Sequence, residues 1–508
     1  MYVCPNCGQN LKFDIARQMM HCDYCDTVMD PYAITEKRGV TEYVEPTYTE
    51  ETGPDGETKV VSPNAEFTEA ANVEMMEVTS YICPQCGGEI VGDTNEAMVF
   101  CSYCGASTPL NPRMTNMRRP EMIIPFSKTK QDCATSYVSL LKKALFAPKE
   151  LKDPKQISGF RAIYMPYWLY DFKKQGPATY KGEHCYHRGD YDYTDHYSIT
   201  TSVDMEYDGV NYDASSSFSD TLSQAISPYD TKYARPFTTA FMSGFYADTM
   251  DVSADVYEKN AKKLVADHAG DILAANQKSS AYTIKKDTVS NALTPITKNK
   301  TLAMMPVWFM SYQTRDRKGN PRVLYAVVNG QTGKTAADLP VDVKKFLIGS
   351  LILALPLFLI FNLILNIPPL YLAITGTVIS LICLVSLTSQ AGKIAEREMG
   401  ADDAGQESVA TNKKQRKEAL KRRKAWEVKD VKRVNRPFYI IPIVICAFLL
   451  LLKPDYDYWY YAGVIISGIC DCFMMTDIMR RYNKLVTRPL PQFNRKGGDD
   501  SAEELKHS

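Results

Sequence analysis

Cys4-Pro5-Asn6-Cys7-Gly8 returns as Cys83-Pro84-Gln85-Cys86-Gly87, and Cys22-Asp23-Tyr24-Cys25 returns as Cys101-Ser102-Tyr103-Cys104, all at a constant offset of 79. The same offset carries Leu11 to Ile90, Asp14 to Asp93 and Met19 to Met98. The chain therefore opens with two copies of one small module. Both copies space their cysteines as Cys-x2-Cys-x14-Cys-x2-Cys, the pattern of a zinc ribbon. Each Cys-x2-Cys turn presents two sulfurs to one ion, and four thiolates at about 2.3 Å satisfy Zn²⁺ tetrahedrally. The residue after the second cysteine of each turn must take a left-handed backbone conformation. Gly8, Gly87 and Gly105 suit it, and Asp26 tolerates it. The expected ligands are Cys4, Cys7, Cys22 and Cys25 for one structural Zn²⁺, and Cys83, Cys86, Cys101 and Cys104 for a second. Such a set is closed, with no position left for a substrate. His21 stands beside Cys22 as a spare ligand to a set already complete. A unit of about 25 residues has too little core to fold alone, so metal is expected to stabilise it. Disulfides are the competing reading, and the reducing cytoplasmic location argued below disfavours them.

The 508 residues exceed one ordinary domain, and 59 basic residues balance 59 acidic ones, so no global field favours nucleic acid. The modules themselves are poor in positive charge. Residues 1–38 hold four basic and five acidic residues, and 81–112 hold three acidic and none basic. Phosphate contacts need Lys and Arg, so nucleic acid is not the expected partner. Met1-Tyr2-Val3-Cys4-Pro5 has no apolar signal core. Residues 39–80 carry ten acidic residues and Lys59 alone as a base, with Gly53-Pro54-Asp55-Gly56 as a turn signal. They read as an acidic linker without structure.

From 118 to 340 the pattern is that of an α+β domain. Lys128–Leu145 reads as an amphipathic helix with Ser127 at its cap. Ala162–Phe172 reads as a buried aromatic strand, His196–Met205 as a strand, 254–277 as a helix and Leu324–Val328 as a short buried strand. Met165-Pro166-Tyr167-Trp168-Leu169 echoes Met305-Pro306-Val307-Trp308-Phe309, which suggests a duplicated half-domain. Asn329-Gly330-Gln331-Thr332-Gly333-Lys334-Thr335 lacks the first glycine of a P-loop and reads as a hairpin turn. His184, Cys185, His187 and His196 lie in a strand-like stretch with no partners to complete a metal site. Cys133 and Cys185 have no supporting base to act as nucleophiles.

Four apolar runs follow. Phe346–Ile367 and Leu370–Leu387 are free of charge, Phe438–Leu452 is shorter, and Tyr458–Met475 contains Asp471. They read as two transmembrane hairpins, 346–387 and 438–475. Residues 388–436 hold 14 basic residues and the tail from Arg480 holds seven. Both basic segments, and with them the N-terminus, are therefore expected on the cytoplasmic side. Lys413–Arg436, with 12 basic and three acidic residues, is expected to attract anionic membrane lipid. Asp471 is read as pairing or snorkelling at a helix end rather than as a transport site.

The paired CPxCG-type turns, Ile124-Pro125-Phe126 before a helix, Gly159 followed by Tyr164-Met165-Pro166-Tyr167-Trp168, then Asn329–Lys334 and C-terminal spans resemble the bacterial TFIIB-type zinc-ribbon membrane proteins over roughly residues 1–390. Members of that family are sometimes labelled relatives of a primosomal helicase, but this chain shows no helicase motor motif. The resemblance implies a membrane anchor for cytoplasmic protein partners of the SPFH (flotillin-like) or phage-shock type. The second hairpin departs from the two-span form.

The expectation is a multidomain chain. Zinc ribbons, both small β units, occupy 1–38 and 81–112. A disordered acidic linker fills 39–80 and an α+β cytoplasmic domain 118–340. An all-α transmembrane region of four helices spans 346–387 and 438–475, with a basic cytoplasmic loop at 388–436 and a cytoplasmic tail at 476–508. The expected role is a non-enzymatic, multi-pass cell-membrane scaffold holding two zinc ions. A membrane-tethered nucleic-acid binder, or an enzyme with an unrecognised site in the middle domain, is the alternative.

Overall fold

The computed structural model describes residues 2–37, 40–43, 49–52, 58–61, 74–92, 101–107, 110–276, 282–284, 286–316, 319–364, 367–398, 403–404, 437–491 and 493. Lys413–Arg436, the tail beyond 493 and much of the acidic segment lie outside these residues.

Two cysteine modules, a large sheet-rich middle region and C-terminal apolar helices follow one another along the chain. The aromatic stretch predicted as a buried strand becomes the centre of a 13-stranded sheet. Its strand runs Arg161–Arg188, and every residue from Ile163 to Tyr170 is buried. It pairs antiparallel with Ile296–Arg315 over its first half and with Tyr191–Asp213 from Tyr167 onward. Ile296–Arg315 turns back through Pro321–Asn329. Both core strands are apolar on two faces because helices and the cysteine modules cover the sheet.

The predicted first helix forms as Lys130–Lys143. Its cap is Thr129 rather than Ser127: Asp132 N donates to Thr129 Oγ1 at 3.3 Å and Thr129 N donates to Asp132 Oδ2 at 3.0 Å, a reciprocal box. The buried stripe is Cys133, Tyr137 and Leu141, while Leu145, expected inside, is exposed. The second helix runs Asp255–Asn276.

The echo between the two Pro-x-Trp strands is a duplication in three dimensions. Met165 lies directly opposite Met305, and the hydrogen bonds repeat around that pair. Ala214 N donates to Pro166 O and Gly330 N to Pro306 O, both at 2.8 Å. Asp248 N donates to Tyr164 O and Ile124 N to Met304 O, at 2.9 and 3.0 Å. The Trp168 and Trp308 indoles donate to Val252 O and Lys128 O, each at 2.8 Å. Tyr246–Ala247 runs parallel to Ile163 and Tyr164, as Met122–Ile123 runs parallel to Ala303 and Met304. Each half is thus a short strand, a helix and a long hairpin, and each short strand adds to the other half's hairpin.

The Asn329–Lys334 segment is the tight turn the sequence predicts. Gly333 N donates to Asn329 O at 2.9 Å, and Asn329 N to Lys334 O at 2.8 Å. The Lys334 amine donates to Ser227 O. Gly330 is required by close approach, because a Cβ there would sit 2.6 Å from the Phe126 ring and 2.8 Å from Pro306. Gly330→Ala is expected to cost about 1–3 kcal/mol by overpacking. It should lower the thermal midpoint of the purified protein, whereas Gly392→Ala, which meets open space within a helix, should not lower it.

Two boundaries differ from a simple division into units. Most of the acidic segment 39–80 lies outside the described residues; within it Thr49–Thr52 pairs with Thr58–Val61, and Val40–Tyr43 pairs with Ile34–Lys37 just before it. The Thr, Val, Ile and Tyr residues of these strands favour extended chain despite the charge. The second cysteine module is not a free-standing unit. Met75–Ile82 pairs with Asn111–Arg118 on one side and with Glu89–Val91 on the other, and Val91 pairs with Ala247, which makes the module an arm of the large sheet.

Among the described residues, three helices are long and apolar enough to cross a membrane: Val343–Ile364, Pro369–Glu398 and Tyr458–Val486. A shorter apolar helix, Pro437–Leu452, packs with the last two around Cys383, Leu387, Tyr439 and Met474 and around Ala373, Leu449 and Tyr460. The four spans of the sequence reading are therefore three long helices and one short one. The short helix begins at Pro437, and Lys453–Asp457 closes the turn to the next helix.

Candidate metal centres

The eight cysteines expected as ligands form two groups, Cys4, Cys7, Cys22 and Cys25, and Cys83, Cys86, Cys101 and Cys104, with all sulfurs in each group within 4.8 Å of one another. Cys4 and Cys25 sulfurs are 3.5 Å apart, as are those of Cys7 and Cys22; the pairs Cys83–Cys104 and Cys86–Cys101 stand at 3.7 Å. A tetrahedron with metal–sulfur bonds of about 2.3 Å has edges of about 3.8 Å, whereas a disulfide would bring two sulfurs to about 2.05 Å. All eight thiols are free. The donor set therefore fits two metal ions, one per group.

The turns that aim the sulfurs are the same four times over. Gly8 N donates to Cys4 O, Asp26 N to Cys22 O, Gly87 N to Cys83 O and Gly105 N to Cys101 O, at 2.9–3.0 Å. The closing residues take φ of 73° at Gly8, 55° at Asp26, 73° at Gly87 and 71° at Gly105, as the spacing predicts. Gly88 N, one residue on, lies 3.4 Å from the Cys86 sulfur. Four thiolates in contact repel one another. In the second group the sulfur–sulfur contacts hold Cys83 and Cys104 low and push Cys86 and Cys101 high. A divalent cation at the centre offsets that repulsion for all four.

The surroundings of the two centres differ. In the first, Cys7 and Cys25 are half-exposed, and His21 bonds to Asp23 and Asp26 at 3.3 and 3.1 Å. The module rests on the body through Phe13 against Phe241, with Ser243 Oγ donating to Leu11 O at 2.6 Å and Gln18 Nε2 to Phe126 O at 2.7 Å. In the second, all four cysteines are buried. Tyr103 packs edge-on against Phe309 and Phe493, and Gln313 Nε2 donates to Cys104 O at 2.7 Å. The sequence reading asked metal alone to stabilise these modules, but each shares a hydrophobic core with the body.

The other polar candidates stay apart. His184, Cys185, His187 and His196 line the exposed hairpin, where His187 pairs with Asp192 at 2.8 Å and His196 with Glu183 at 2.9 Å. Cys133 is buried on the first helix, and burial pushes its thiol up. Asp471 accepts from Ser380 Oγ at 2.6 Å, joining two apolar helices.

Sequence reasoning missed Arg322 and Phe493. Arg322 is 5% exposed at the start of a core strand. Its Nε donates to Thr487 Oγ1 at 2.6 Å, and Nη2 donates to Lys484 O at 2.9 Å and Thr487 O at 2.6 Å. Glu398 Oε1 lies 2.8 Å from Nη2 as an ion pair. One guanidinium thus ties the ends of two apolar helices to the sheet. Arg488–Pro489 then pairs with Arg322 and Val323, and Phe493 N donates to Cys86 O at 2.8 Å. A lone base opening an apolar strand and a lone aromatic in a polar tail were the available signals.

No family model and no solved structure matches this chain. It is similar to the uncharacterized protein YdjG of Bacillus subtilis (strain 168), 24% identical over 321 residues, which covers 53% of this chain and 92% of that protein.

Proposed function

We propose that the protein is a membrane-anchored, non-enzymatic zinc-ribbon scaffold that presents two structural Zn²⁺ modules and an α+β body to cytoplasmic protein partners. The observation that carries this reading is the joint at Arg322, which fixes a body holding two closed cysteine cages to the ends of apolar helices. All-thiolate cages suit zinc and leave no coordination position for a substrate. Pro369–Glu398 and Tyr458–Val486 run on past their apolar stretches by about ten residues, roughly 15 Å of helix. Those extensions act as stalks that hold the body above the bilayer. Pro437–Leu452, with 16 residues, measures about 24 Å. Packed against its longer neighbours it completes a fourth span. The resemblance to TFIIB-type zinc-ribbon membrane proteins, with SPFH or phage-shock-type partners, fits this arrangement, as does anionic lipid at Lys413–Arg436.

The reading places Pro368 and Asp455 outside and the cysteine modules inside. Cysteines introduced at those two turns are expected to react with an impermeant maleimide in intact cells. Protection of either turn overturns the four-span topology. The purified protein is also expected not to be retained on duplex DNA or RNA. Retention that weakens steeply with salt, the signature of several phosphate contacts, would favour the tethered nucleic-acid binder instead.

A further inference from the structure

The last apolar helix does not end in free tail. After Val486 the chain forms Arg488–Pro489 alongside Arg322 and Val323, and Leu490 and Phe493 join the core of the second cysteine module. The contact with the cage is direct. Phe493 N donates to Cys86 O at 2.8 Å, and its ring meets Tyr103 edge-on at 5.5 Å between centroids. Cys86 is a metal ligand in the reading above, and Tyr103 lies between the ligands Cys101 and Cys104. The two glycines after Cys86 make room for this contact. A Cβ on Gly87 would lie 2.5 Å from Phe493 O, and one on Gly88 would lie 3.3 Å from its ring. Gly88 Cβ would also lie 2.7 Å from the Tyr103 ring. The first module has Gly8 and Gln9 at these positions, and a Cβ on Gly8 meets nothing within 4 Å. The double glycine belongs to the copy that receives the strap.

We propose that the second cysteine centre is a metal-dependent clasp for the chain's own C-terminal strap, so that metal occupancy at Cys83, Cys86, Cys101 and Cys104 sets how firmly the end of the last apolar helix is held to the body. This inference rests on the two-metal reading of the proposed function. The acceptor for Phe493 is the carbonyl of a ligand, in a turn whose shape the ion fixes. When the ion leaves, nothing bridges the four sulfurs, the turn at Cys86 loses its shape and the Phe493 site goes with it. The strap is then held through Arg488–Pro489 beside Arg322 and Val323, and through Leu490. The first centre has no such attachment among the described residues, so of the two copies it is the second that couples metal to the strap.

Linkage makes the clasp reciprocal. If the ion favours strap docking, the docked strap favours the ion by the same factor. Phe493→Ala, which removes the ring at the surface of the cage, is expected to weaken one of the two zinc sites by about five- to tenfold, at the lower end of ordinary coupling, and to leave the other unchanged. The measurement is competition of the full-length protein in nanodiscs with a chromophoric zinc chelator. Amide exchange of 487–493 is followed in parallel. Cys22→Ser, which empties the first centre, should not raise exchange of that segment, and exchange should rise when the chelator then removes the ion that remains at the second centre. Two ions released alike by the native protein and by Phe493→Ala would overturn the clasp while leaving the two-metal reading intact. Unchanged protection of 487–493 after metal loss would overturn it as well. A protein purified without metal would overturn both. Because Phe493→Ala removes no ligand, the affinity measurement does not depend on the folding of a cysteine variant.

Discussion

Replacing Cys83 and Cys86 together by Ser is expected to halve the metal content, from two ions per chain to one, and to unravel one side of the large sheet. The two serines leave Cys101 and Cys104 as a pair, which does not hold a structural ion at the affinity of four thiolates. The binding energy lost is of order 10 kcal/mol, and it is also folding energy. The fold decides where the damage goes. Met75–Ile82, Glu89–Val91 and Asn111–Arg118 form one continuous arm with Tyr246–Ala247, and the module's core includes Ile163, Met165, Phe309 and Tyr325. The body keeps its own core, so the loss should stop at Tyr246–Ala247. Metal analysis by atomic emission, with limited proteolysis, is the check: one ion remaining, and new cleavage between 74 and 118. A variant that keeps two ions, or that stays protected across that arm, contradicts the assignment of these four ligands.

Arg322→Ala is expected to cost about 3–5 kcal/mol, because it leaves Glu398 as a half-buried charge without its partner. It also strips donors from the carbonyls of Lys484 and Thr487. Arg322→Lys should recover little of this. The contacts at Thr487, Lys484 and Glu398 diverge as a planar fork does, and a single ammonium does not span them. Arg322→Ala together with Glu398→Gln should recover more than Arg322→Lys, since the buried charge is gone. The observable is the thermal midpoint of the protein in detergent, together with protease access at the joint between 484 and 491. Equal midpoints for the native protein and Arg322→Ala would show that the joint does not hold the helices to the body.

The cysteine centres were fully legible in the sequence. Spacing fixes which sulfurs share a turn, and the left-handed positions at Gly8, Asp26, Gly87 and Gly105 follow from the same local geometry. The central strand was legible too, since an uncharged run from Ala162 to Tyr170 leaves no charged face to expose. The duplication was visible only as a five-residue echo. Its two halves exchange short strands, and the evidence for it is carried by backbone hydrogen bonds that place no demand on side-chain identity. Where the acidic segment is described it holds paired strands, because charge argues against a core but not against a local hairpin rich in Thr and Val.

The sequence by itself determined the two groups of four cysteines, the apolar helices and the buried strands, because each depends on residues close together in the chain: a turn, a helical length or an uninterrupted apolar run. Only the tertiary structure decided that the second cysteine module is an arm of the large sheet, that Arg322 locks the ends of two apolar helices, and that Phe493 closes on Cys86. These contacts join residues as far apart as Cys86 and Phe493. Their energies come from burial and from paired charge created only when distant segments meet, so no local pattern in the chain encodes them.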